Sequence, residues 1–360
     1  MKKSAFGHAR KWAAAALLGA LAWAGPVLAE TSSETRDAPV AEISREAVWR
    51  AIFARPHGVS ASAVGDTAAQ IELGRDLFRD PRLSGSGKAA CTSCHDPDHA
   101  FTDGRRTAVG PGGAVLPRNA PALYNLAWAV SFFWDGRAPT LAAQARFPIL
   151  AEDELAGDFT TIAQRLSADP AVKAHFATAF PEAPGVTESA ILDALAAYER
   201  SLVSAESRFD RWIAGDGAAL TETELQGFDI FVGKGGCVSC HGGWRFTDDN
   251  FHDIGLASQD LGRGALVASA KGLPQFKTPS LREVARTAPY MHDGSLATLE
   301  DVVAHYTGNL IKRPSLAATV VRDLELTAEE KAALVAFLKT LSGEPESHVS
   351  DETTRPMLKK

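Results

Sequence analysis

Apolar residues recur at helical spacing along most of this chain. Ile191, Leu192, Leu195, Tyr198 and Leu202 form one such stripe, and Leu334, Phe337, Leu338 and Leu341 form another. Thr327 followed by Glu330 has the spacing of an N-terminal capping box, which predicts that the last helix starts there. Alternating apolar and polar runs joined by hairpin turns are nearly absent. The segments between the helical stripes are long and rich in Gly and Pro, so they need something large to pack around. The expectation is an all-α fold whose loops enclose a bulky group.

The pattern occurs twice. Glu72-Leu73-Gly74, Leu77 and Phe78 precede Cys91, and Glu224-Leu225, Gly227, Ile230 and Phe231 precede Cys237. A Phe-Thr-Asp follows each cysteine pair, at Phe101–Asp103 and Phe246–Asp248. Each half closes on a similar helix, Ala194-Leu195-Ala196-Ala197-Tyr198 and Ala333-Leu334-Val335-Ala336-Phe337. Two domains of one plan are expected, at 65–215 and 216–343, joined near the turn-rich Gly215-Asp216-Gly217. Residues 30–64 read as a leader and 344–360 as a flexible tail.

The first 29 residues differ in kind. Lys2, Lys3, Arg10 and Lys11 precede an apolar stretch from Trp12 to Ala24, and Pro26 and Val27-Leu28-Ala29 supply a turn and a small-residue cleavage site. Gly19, Gly25 and Pro26 interrupt the run and no basic flank follows, which favours a cleaved signal peptide over a retained anchor. Cleavage removes four basic residues and no acidic one, so a chain already at −7 becomes more acidic. That charge excludes a general nucleic-acid binder. At 45% hydrophobic and 22% charged over 360 residues, the composition also excludes a mostly disordered or collagen-like chain. The expected product is periplasmic and free of the membrane after cleavage.

All four cysteines fall in two copies of one motif, Cys91-Thr-Ser-Cys94-His95 and Cys237-Val-Ser-Cys240-His241. Two cysteines three apart can form thioethers to both vinyl groups of one porphyrin, and the adjacent histidine then reaches the iron. Zinc suits one tetrahedral centre better than two identical units. A redox dithiol does not need the histidine twice, and two unused cysteine pairs do not suit an oxidising compartment. The motifs therefore predict two covalent c-type haems. Past residue 29 only Met291 and Met357 remain, so two ordinary His/Met electron carriers in one chain are excluded.

At these residues the chain resembles the bacterial di-haem cytochrome c peroxidase superfamily, and within it the MauG-type protein-oxidising branch. The likeness spans about residues 65–343. It rests on the two haem motifs, Pro117-Arg118-Asn119-Ala120-Pro121, Phe133-Trp134-Asp135-Gly136-Arg137, and Ala288-Pro289-Tyr290-Met291-His292-Asp293-Gly294. The resemblance implies two cytochrome-c-like domains, with a peroxide site at the N-terminal haem and an electron-transfer site at the C-terminal one. It implies that Trp134 lies between the haems, that Gln144, Pro148 and Glu154 face the distal pocket, and that Glu154 is the acid–base group for O–O cleavage. It also implies a calcium ion held by Asn119, Thr287 and Pro289, the last two partly through backbone carbonyls.

Taken without the resemblance, these residues have plainer readings. Glu154 lies in Glu152-Asp153-Glu154, and an acidic run is usually a solvated surface. Trp134 follows Phe132 and Phe133 and reads as core, and Asn119 reads as a loop amide. Two departures place the chain within the superfamily. Pro111 stands about where peroxidase-type members carry a histidine ligand, so the His95 haem is expected to stay open. Tyr306 stands where they carry the methionine ligand of the second haem, a MauG-type feature. His305 is a rival ligand, but on a helix it points about 100° away. Met291 is the other rival, and its apolar stretch reads as core.

The expected activity is hydrogen peroxide activation with oxidation of a protein partner by long-range electron transfer. The alternative is a cytochrome c peroxidase that takes electrons from a small cytochrome c or cupredoxin and reduces peroxide to water.

Overall fold

The computed structural model describes residues 44–56, 65–320 and 324–343. Ten α-helices carry the architecture among these residues. They are α1 (Arg45–Phe53), α2 (Ala68–Phe78), α3 (Leu141–Leu150), α4 (Phe159–Ser167), α5 (Pro170–Ala179), α6 (Glu188–Ser201), α7 (Arg208–Ala214), α8 (Glu222–Val232), α9 (Leu299–Tyr306) and α10 (Ala328–Lys339). One two-residue ladder joins β1 (Phe251–His252) to β2 (Phe276–Lys277), antiparallel with Phe251 opposite Lys277. The all-α expectation holds.

The helices build two cores. Leu73, Leu77 and Phe78 of α2 pack with Ile162, Phe176, Ile191 and Tyr198 from α4, α5 and α6. Phe209 and Trp212 of α7 pack with Phe228, Phe231, Val303 and Phe337 from α8, α9 and α10. The internal repeat has a physical basis in one close crossing per core. A Cβ on Gly74 of α2 would stand 1.9 Å from the Ala194 carbonyl oxygen of α6, and one on Gly227 of α8 would stand 2.0 Å from that of Ala333 in α10. An aromatic pair sits beside each crossing: Phe78 meets Tyr198 edge to face at 5.2 Å, and the matching Phe231 and Phe337 are tilted at 5.1 Å. The capping box of α10 forms as its spacing predicts: Glu330 N–H donates to the Thr327 hydroxyl at 3.2 Å, and Thr327 N–H donates to the Glu330 carboxylate at 2.8 Å.

Three sequence expectations need correction. The 30–64 leader contains α1, capped by Ser44 and anchored in the second core. Trp49 and Phe53 lie one turn apart and form its apolar face, and Phe53 stacks on Phe246 at 4.8 Å. Arg50 Nη1 donates to the last carbonyls of α7, at 2.5 Å to Trp212 and 2.8 Å to Ile213. The boundary at 215/216 cuts α7 from the core it serves, because Phe209 packs on Phe228, Phe246 and Phe337. Met291, read as core, instead lines the central cavity and belongs to neither core.

Residues 1–29, read as a signal peptide, and 344–360, which include Met357, lie outside the described residues. Among those described, no helix is long and apolar enough to cross a membrane.

Candidate active site

Each Cys-x-x-Cys-His segment opens with a single 3₁₀ turn, Cys91–Ser93 and Cys237–Ser239. The histidine that follows is fixed the same way in both. His95 Nδ1 donates to the Phe101 carbonyl at 2.9 Å, and His241 Nδ1 donates to the Phe246 carbonyl at 2.9 Å. Both phenylalanines hold positive φ, 59° and 55°, so the repeated Phe-Thr-Asp places a turned carbonyl against each ring. With Nδ1 a donor, Nε2 keeps the lone pair that binds a metal. Burial pushes both imidazole pKa values down, which favours that neutral form.

A cavity of about 940 Å³ runs between the motifs, with Cys94 and His95 on one side and Cys237, Cys240 and His241 on the other. No cysteine is in a disulfide. Among the described residues the only cluster of possible metal-ligating side chains is Cys240, Asp248 and His252, so the two motifs do not converge on one tetrahedral centre. Arg282 lines the same cavity, and its buried Nη2 has no partner. An orphaned guanidinium donor suits the carboxylates of a porphyrin. The residues fit two covalently held haems.

Of the other residues singled out from the sequence for a site, Asn119, Trp134, Gln144, Pro148, Glu154, Thr287, Pro289 and Tyr306 line this cavity, whereas Cys91, Pro111 and His305 do not. Gln144 and Pro148 lie one turn apart on α3. Glu154 leaves its acidic run: Glu152 is exposed, whereas Glu154 is half-buried against the cavity. Burial raises the Glu154 pKa, the Asp153 charge adds to that, and Arg137 opposes it. Pro111 lies on an exposed turn. Its neighbour Gly110 packs beneath the Asp153 carbonyl, where a Cβ would stand 1.9 Å from the oxygen.

Trp134 ties the halves together. Its indole N–H donates to the Asn119 carbonyl at 3.0 Å, and its own carbonyl accepts from Lys277 N at 2.7 Å. Asn119 N–H in turn donates to the His292 carbonyl at 2.8 Å, and Asn119 Nδ2 donates to the Arg105 carbonyl at 2.9 Å. Arg118 clamps beside them, with Nη1 2.5 Å from Asp135 and Nε 2.7 Å from Asp260. Arg118 and Asp135 sit inside motifs quoted from the sequence; Asp260 and Arg282 carry no spacing signal and were missed.

At the second motif, His305 Nε2 donates to the Ile254 carbonyl at 2.9 Å, so that nitrogen is already engaged, and His305 does not line the cavity. Tyr306 lines the cavity instead, and burial together with the sulfurs of Cys237 and Cys240 raises its phenol pKa.

Two family profiles match in tandem, di-haem cytochrome c peroxidase over residues 68–218 and cytochrome c over residues 225–342. The methylamine utilization protein MauG of Methylorubrum extorquens is 43% identical over 335 residues, 90% of this chain and 95% of that protein. The chain belongs to the di-haem cytochrome c peroxidase family. The cytochrome c peroxidase Ccp of Escherichia coli is 35% identical, covering 79% of this chain and 60% of that protein. Among solved structures, a MauG-like protein associated with microbial copper homeostasis superposes with a TM-score of 0.72 at 35% identity, covering 78% of this chain and 91% of that one. The diheme peroxidase BthA of Burkholderia thailandensis gives a TM-score of 0.67 at 25% identity, covering 77% and 86%. As a member of this family, the chain is a di-haem oxidoreductase.

Proposed function

We propose that this di-haem protein activates hydrogen peroxide on the His95 side of the cavity and oxidises a periplasmic protein partner by long-range electron transfer. The observation that supports the MauG-type reading is Tyr306, which lines the cavity beside the second motif while His305 is bonded to Ile254. An anionic oxygen ligand favours the ferric state, where a thioether favours the ferrous one.

In this reading Cys91, Cys94 and His95 would hold one haem, and Cys237, Cys240, His241 and Tyr306 would hold the other. The haem irons supply peroxide binding and the redox capacity for splitting its O–O bond. Glu154 takes the proton from the inner peroxide oxygen and returns it to the outer one. Gln144 and Pro148 bound the space in which the peroxide sits. Trp134 offers an oxidisable indole between the halves. Asn119, Thr287 and Pro289 would hold a calcium ion, a cation that takes neutral oxygen donors of this kind.

A second reading, the cytochrome c peroxidase, is favoured by Met291, which also lines the cavity. Mixing the holoprotein with peroxide and a reduced small cytochrome c separates the two. Fast turnover supports the peroxidase; a slow return to the resting spectrum without turnover supports the protein oxidase. No reaction with peroxide sinks both.

A further inference from the structure

Trp128 and Trp244 meet edge to face across the two halves, with ring centroids 4.8 Å apart and planes at 86°. Trp128 ends the 3₁₀ turn Leu126–Trp128. Trp244 stands three residues beyond His241, and two residues before the Phe246 carbonyl that accepts from His241 Nδ1. Neither indole lines the central cavity. Both are half-buried, and Val130, two residues past Trp128, is 72% exposed. The pair therefore lies on the solvent side of the cavity wall.

A ring of contacts holds the two indoles in place. The Arg55 guanidinium stands 5.9 Å from the Trp244 ring and donates to the carbonyls of Ser204 at 2.7 Å and Ala205 at 2.9 Å. Ser204 Oγ accepts from Asn125 Nδ2 at 3.0 Å, and Asn125 leads directly into the Trp128 turn. On the other side Arg282 Nε donates to the Trp244 carbonyl at 2.7 Å.

We infer that Trp128 and Trp244 form an electron relay between the second Cys-x-x-Cys-His segment and the protein surface, separate from Trp134. Indole is among the most easily oxidised side chains, and edge contact between two of them gives a short transfer step. The two indoles are not equivalent. Arg55 and Arg282 each stand 5.9 Å from the Trp244 ring, and among the described residues no cation is stacked on Trp128. Positive charge opposes the loss of an electron from Trp244. Asp210, 3.4 Å from Arg55 and 2.7 Å from Arg282, offsets only part of it. Trp244 is thus the bridge and Trp128 the site where the electron vacancy rests.

The step balances with peroxide as the oxidant. Hydrogen peroxide takes two electrons and two protons and leaves as two waters. With a protein donor present, both electrons come from that donor through Trp128 in two single transfers. Without a donor, Trp128 itself gives both electrons: a ring C–H bond breaks, a C–O bond forms to water, and two protons are released. The product is a hydroxytryptophan at Trp128.

The relay rests on the peroxide-oxidation reading, and one experiment distinguishes their failures. The holoprotein is treated with peroxide without a donor and digested, and added oxygen is located by mass spectrometry. The expected result is one added oxygen at Trp128, lost from Trp128 in Trp244→Phe although its target ring is intact. With no donor added, the return of the peroxide-treated protein to its resting spectrum should slow in Trp128→Phe and recover in Trp128→Tyr, which restores an oxidisable ring; unaltered resting haem spectra in each variant establish folding. Equal labelling of Trp128 with and without Trp244, or no labelling while peroxide is consumed, overturns the relay alone. No peroxide consumption by the wild type overturns the functional reading and the relay with it.

Discussion

The indole N–H of Trp134 donates to the backbone carbonyl of Asn119 at 3.0 Å, which fixes the ring on the wall shared by both motifs. Trp134→Phe keeps a ring and deletes the donor. Its stability should fall by about 1 kcal/mol, the usual net worth of such a bond. Partner oxidation, followed by stopped-flow absorbance, should fall by much more than that loss explains. A variant as fast as the wild type would return Trp134 to a packing role.

Glu154 should set the acid limb of the peroxide reaction. The carboxylate is the proton acceptor and its pKa is raised, so the rate should rise with pH through a limb above the ordinary carboxylate range. Glu154→Gln should lose about 10²–10⁴ in rate and the limb with it. Arg137→Gln removes the one cation that opposes the shift, so its limb should move to still higher pH. An unmoved limb would disconnect Arg137 from Glu154.

Tyr306 and Met291 both line the cavity, and low-temperature electron paramagnetic resonance of the ferric protein decides between them. One high-spin and one low-spin haem are expected. Tyr306→Phe should change the low-spin signal and Met291→Leu should not. The reverse result would favour the peroxidase.

Glu199 of α6 is buried, its Oε2 has no partner, and burial pushes its carboxyl from 4.5 to about 8. The folded chain therefore holds this proton more tightly than the unfolded chain does. The stability it confers is complete below pH 4.5 and is lost progressively as pH rises to about 8. Glu199→Leu, which installs the residue found at the matching place, Leu338, should flatten that fall. Across this range the fall in unfolding free energy, measured by denaturant titration, should differ by on the order of a few kcal/mol between wild type and variant.

Gly227→Ala would place a Cβ 2.0 Å from the Ala333 carbonyl oxygen, so α8 and α10 must separate. A loss of at least about 1–3 kcal/mol is expected in thermal unfolding, and haem incorporation into the second half should fall with it.

The parts of this protein that follow a period were legible in its sequence. Helical stripes, the Thr327–Glu330 cap and the doubled Cys-x-x-Cys-His motif each have a fixed spacing set by local geometry. The repeated Phe-Thr-Asp was also visible, but not its purpose, because a backbone carbonyl facing an imidazole leaves no residue-type signal. Glu154 and Trp134 were ambiguous for a related reason. An acidic run and an aromatic run each look the same whether one member turns inward or not. Arg282, Asp260 and α7's allegiance depend on partners far along the chain, and no local window contains both sides of such a contact.

α1 reaches the ribosome exit long before the core that receives it exists. Arg50 and the Trp212 carbonyl it caps are 162 positions apart, and Phe53 must await α8 and α10 as well. Contacts of such separation are costly to form early, so α1 should dock last. The second half must therefore pass through a stage with an aromatic face uncovered at Phe209, Phe228 and Phe246. A chain shortened past Phe53 would be arrested at that stage, with its helices formed and its face open to self-association.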